Sequence, residues 1–110
     1  MRIEIVGRAS SEATNDLLAI EGVDGSVENT GTKYREGVFV TVATIVAITS
    51  GTLTIADKIY AWYQKWKSDK EKNNESINRV VLIASNDSRI LLGSASIEEV
   101  KELFDSEFKE

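Results

Sequence analysis

Hydrophobic residues are unevenly spread along this chain. They concentrate in Gly37–Ala56 (GVFVTVATIVAITSGTLTIA), twenty residues without a charge between Glu36 and Asp57. Such a run must be kept out of water, and three structures would do it. A membrane span fits the length, since about 20 apolar residues match the hydrocarbon thickness. A helix buried in protein fits, because a helix apolar all round has to be covered. A β-hairpin turning at Ser50-Gly51 also fits. Twelve of the twenty residues are Val, Ile or Thr, and β-branched side chains suit strands.

The details favour burial in protein over burial in lipid. Thr41, Thr44, Thr49, Ser50, Thr52 and Thr54 put six hydroxyls in the run. Only Val38–Ile48 is intensely apolar, and a stretch of about 10–14 residues is more often a core helix. Met1–Val6 reads as a strand, not as a basic leader. The expectation is therefore a long central apolar helix. A single helix from Val38 to Trp66 would measure about 43 Å at 1.5 Å per residue. A domain this size has a radius of gyration near 13 Å. So the helix either bends at Ser50-Gly51 or projects and needs a partner, with Val38, Val42, Ile45, Val46 and Leu53 as the docking residues.

The flanking patterns are more regular. Arg2–Val6 alternates as a strand with Ile3 and Ile5 on one face. Ser10 or Ser11 caps a short helix to about Ile20, with Ala13 and Leu17 inward. Gly22–Gly25 reads as a turn, Ser26–Thr30 as a short strand and Gly31–Glu36 as a polar loop. Ile55, Ile59, Trp62, Tyr63 and Trp66 share one helical face, with Lys58, Lys65 and Lys72 on another. A packed aromatic stripe is the plainer reading of that face; a basic amphipathic helix on an anionic lipid surface is the other. Ser68–Ser76 is polar and ends the helix. Arg79–Ser85 and Ser88–Gly93 form a hairpin about Asn86-Asp87. Ser96-Ile97-Glu98-Glu99 is a capping box opening a helix whose inner face is Ile97, Val100, Leu103, Phe104 and Phe108. The order is β-α-β-α-β-β-α, an α+β fold with a small mixed sheet in one domain spanning residues 1–110.

Composition removes most chemistry. There is no His and no Cys, so the commonest general base, metal ligand and thiol nucleophile are missing. A net charge of −5 disfavours general nucleic-acid binding. The glycines match no P-loop or dinucleotide fingerprint. The pairs Glu98/Glu102 and Asp24/Glu28 have no motif around them, and Asp105–Glu110 lacks EF-hand spacing. The expectation is no catalytic residue, no cofactor and no metal, in a cytoplasmic protein.

One resemblance is carried by longer patterns. The opening MRIEIVG, a following short helix, Gly51-Thr52-Leu53-Thr54, then Ala61-Trp62 with Lys65 and Lys67, resemble the bacterial effector-associated constant component family. The closing RVVLIASNDSRILLGSASIEEVKELF is similar to its C-terminal half, so the likeness spans nearly the whole chain. It implies a small non-enzymatic component of bacterial conflict or antiviral systems, encoded with caspase-like or trypsin-like effectors. Such a component would act as an adaptor or assembly module, a homo-oligomer or an effector's partner. The interaction residues expected are Val38, Val42, Ile45, Val46, Leu53, Ile59, Trp62 and Trp66. The rival reading is a membrane-anchored or membrane-surface protein using residues 37–66.

Overall fold

The computed structural model describes residues 1–29, 40–49, 51–67 and 77–108. Its elements are β1 (Arg2–Val6), α1 (Ser10–Leu18), β2 (Val23–Asn29), β3 (Val40–Ile48), α2 (Thr52–Lys67), β4 (Arg79–Ile83), β5 (Arg89–Leu91) and α3 (Ile97–Phe108). The five strands make one sheet in the order β2-β3-β1-β4-β5, and every neighbouring pair is antiparallel. The α+β class therefore stands, while the sheet is antiparallel and not mixed. A strand more than expected gives β-α-β-β-α-β-β-α. The expected loop 31–36, the polar break 68–76, Val38 and Ser50 lie outside the described residues.

The main correction concerns the charge-free run. It is neither one long helix nor a hairpin. Val40–Ile48 is strand β3, seated between β2 and β1, and only from Thr52 onward is the chain helical. Gly51 makes the corner with φ 93°, a backbone conformation that glycine adopts without penalty. Its carbonyl accepts from the Ile55 amide at 3.2 Å and so starts α2. Val, Ile and Thr fill β3 because their branched side chains pack well on a pleated surface. A paired neighbour on each side satisfies its backbone groups.

Strand parity then sorts the side chains into two layers. Ile3 and Ile5 of β1, Ala43 and Ile45 of β3, and Val80 and Leu82 of β4 are at most 1% exposed. They join Ala13 and Leu17 of α1, Ile55, Ile59, Trp62 and Tyr63 of α2, and Val100 and Phe104 of α3 in one core. All three helices thus lie on a single side of the sheet, and the Cα radius of gyration is 13.1 Å. The aromatic stripe of α2 is inside the domain, as its plainer reading held.

Three local expectations change. Val23-Asp24-Gly25 is part of β2, not a turn, and register slips beside Gly25. No side chain caps α1: its N-cap is Ala9, and the Ser10 hydroxyl turns inward to Thr41 Oγ1 at 2.8 Å. At the hairpin only Asp87 has positive φ, 68°. The capping box of α3 is formed as expected. The Glu99 amide donates to Ser96 Oγ at 3.2 Å, and the Ser96 amide donates to Glu99 Oε1 at 3.2 Å.

Candidate interaction surface

The residues expected to dock separate into three places. Ile45, Ile59 and Trp62 are core, at 1%, 0% and 4% exposure, and present no surface to a partner. Trp66 is half-buried and serves as a clip: its Nε1 donates to Asp16 Oδ2 at 2.9 Å, and Lys65 Nζ reaches the same oxygen at 3.3 Å. Trp62 Nε1 likewise donates to the Ala13 carbonyl at 2.9 Å. These bonds fasten α1 to α2, so the aromatic residues hold the helix layer together. Val42, Val46 and Leu53 remain, since Val38 lies outside the described residues.

Val42 and Val46 have the opposite parity to Ile45 and so point away from the helices. Val46 is 64% exposed. The register places Val42 beside Glu4, Glu4 beside Val81, and Val81 beside Leu91. That row crosses four strands on the face that carries none of the described helices, the helix-free face among the described residues, and Leu91 is 43% exposed. The next row runs Ser26, Thr44, Arg2, Ile83, Arg89, and Arg79 lies opposite Val6 in the row on the other side. Arg2, Arg79 and Arg89 are exposed. The face is therefore an aliphatic band edged by guanidinium groups, with Glu4 and the exposed Asp24, which shares the parity of Ser26 on β2, as its acids. Leu91, Arg79 and Arg89 could not be read as part of this face from the sequence, because only the long-range pairing of β4 with β1 brings them there, and Arg2 joins it through the pairing of β1 with β3.

Leu53, 56% exposed, sits elsewhere, on the helix layer. Its neighbour Thr52 donates to Asp105 Oδ1 of α3 at 3.4 Å. Asp57, one turn further on, pairs with Lys101 at 3.6 Å. Glu98, Glu102 and Asp105 are exposed along α3 at helical spacing. A shallow depression of about 260 Å³ between α3 and β5 is lined by Ile90, Glu99, Glu102 and Leu103.

Among the described residues, two titrating groups have shifted pKa values. Burial alone would raise the Glu107 carboxyl. Hydrogen bonds from the Ser85 amide at 3.0 Å and hydroxyl at 2.8 Å, with the Met1 amino group 3.7 Å away, outweigh it and hold the group below the usual carboxylate range. Burial pushes the Tyr63 phenol up, and Tyr60 adds to the shift. A depressed carboxylate pKa means the unfolded chain binds more protons in acid. Its stabilisation is complete above the unfolded carboxylate value and disappears as pH falls through the folded one. The gap in urea midpoint between wild type and Glu107→Gln is accordingly expected to shrink between about pH 7 and pH 3. A gap constant across that range contradicts this assignment.

Among the described residues no group of three or more His, Cys, Asp or Glu side chains is placed to hold a metal ion. No helix among them is long and apolar enough to cross a membrane. Comparison with protein-family models, with curated proteins and with solved structures gives no match to this chain.

Proposed function

We propose that this chain is a non-enzymatic adaptor or assembly component of a bacterial conflict or antiviral system, acting by protein–protein contact with itself or with an associated protease-like effector. The observation that carries the reading is the helix-free face of the sheet. Among the described residues, two of the three large apolar side chains that stand exposed, Val46 and Leu91, lie on it, with arginines on the same face. Arginine and aliphatic groups exposed together suit contact with another protein. The likeness to effector-associated constant components supplies the biological setting.

Val46→Asp tests the reading cleanly. Because Val46 is mostly in water already, the substitution should change the urea midpoint little; exposed positions usually move stability within about 0.5 kcal/mol. The same substitution sets a charge on the contact face, where desolvating it is costly. Co-elution of the chain with the effector encoded beside it, on size exclusion, is expected for wild type and lost for folded Val46→Asp. Equal co-elution of both proteins would refute the sheet face as the contact.

A further inference from the structure

We infer that copies of this chain stack head to tail, the helix-free sheet face of one copy seating on the α3 side of the next. This deepens the reading above and rests on it, naming a second copy as the partner.

Among the described residues the sheet face carries Arg2, Arg79 and Arg89 against Glu4 and Asp24, a small surplus of positive charge on a chain whose net charge is −5. The compensating acid lies in the other layer. Glu98, Glu102 and Asp105 run along the exposed side of α3, and Leu53 stands exposed on α2 next in sequence to Thr52, which bonds Asp105. Each layer thus exposes aliphatic side chains, Val46 and Leu91 on one and Leu53 on the other, and the charge that predominates around them is of opposite sign. Two sheet faces pressed together would oppose like guanidinium sets, and two α3 faces would oppose like carboxylates. Both symmetric pairings cost free energy where sheet-on-α3 gains it. A contact that uses two different surfaces is heterologous, and it leaves one of each free at the ends, so addition continues unless the rotation closes a ring. Arg2, Arg79 and Arg89 are thereby given a role that folding does not supply, since none contributes to the core.

The test is a pair of charge reversals examined by sedimentation velocity at low salt. One variant carries Arg79→Glu and Arg89→Glu; the other carries Glu98→Lys and Glu102→Lys. All four positions are exposed, and circular dichroism first establishes that both variants fold. Wild type is expected to grow beyond the monomer as concentration rises, and to shrink again when salt screens the contact. Each variant alone is expected to stay monomeric, because like charges then meet at its junctions. An equimolar mixture is expected to assemble again, since an acidic sheet face meets a basic α3 and the unaltered pair of faces meets as before.

Assembly of the Glu98→Lys/Glu102→Lys variant alone, as in wild type, would overturn the proposal in favour of a symmetric sheet-to-sheet dimer. Wild type that remains monomeric at about 1 mM, where even weak contacts are populated, would also overturn it. Should that monomer still co-elute with the effector, only the choice of a second copy falls, and the adaptor function stands.

Discussion

Trp62→Ala is expected to lower the unfolding free energy by about 3–5 kcal/mol, the range for removing a buried aromatic side chain. Trp62 is 4% exposed and central to the layer that joins α1 and α2 to the sheet. Its indole also donates to the Ala13 carbonyl at 2.9 Å. Truncation therefore leaves a cavity and removes a hydrogen bond at once, each with its own cost. Small domains have about 5–15 kcal/mol in all, so the variant should melt early or be partly unfolded at ambient temperature. Trp62→Phe separates the two losses: it keeps most of the volume and should cost less. Urea denaturation followed by far-UV circular dichroism reads both, and a Trp62→Ala loss below about 1 kcal/mol would place the indole outside the core, contrary to its burial.

Gly25→Val should be nearly as damaging, by a different route. A Cβ at residue 25 would overlap the Thr44 carbonyl oxygen and lie 3.1 Å from Ile45 Cα. Both obstacles are backbone of β3, paired with β1 on its other side, so neither can retreat without breaking the ladder. The expected cost is about 3 kcal/mol, the upper end for overpacking a rigid site. Gly93 supplies the contrast. A Cβ there would meet the Tyr63 phenol oxygen at 2.7 Å, the far end of a side chain and not a backbone atom held in a ladder. Gly93→Ala is therefore expected to be much the milder substitution when the urea midpoints are compared. Equal losses at the two glycines would mean that β2 does not cross β3 as closely as the structure has it.

How far the residues announced this structure depends on how local each signal is. The capping box and apolar stripe of α3, the stripe of α2, the hairpin at Asp87 and the alternation of β1 all rest on neighbours in sequence, and all are present. The strand β3 was masked because both of its faces are apolar. Its helix-facing side is Thr41, Ala43 and Ile45; the other side carries Val40, Val42 and Val46, where a water-facing strand would be polar. With alternation erased, length favoured a helix, and the β-branched content that pointed to a strand was outweighed.

That error shaped the list of docking residues. A helix groups Val42, Ile45 and Val46 on one face. A strand sends Ile45 inward, to 1% exposure, and leaves Val46 outward at 64%. The same surplus of valines that hid the strand is what makes its outer face an interaction surface. Arg79, Arg89 and Leu91 could not be attached to that face from sequence, because β4 and β5 join it through pairing with a strand more than seventy residues earlier.

The most direct test of that face is solvent access at Val46. The chain has no cysteine, so Val46→Cys supplies a single thiol whose rate of maleimide labelling reports on the position alone. The account predicts fast labelling in dilute protein, as 64% exposure requires, and marked slowing when the protein is concentrated at low salt or mixed with its effector. Labelling at one unchanged rate under all three conditions would contradict it.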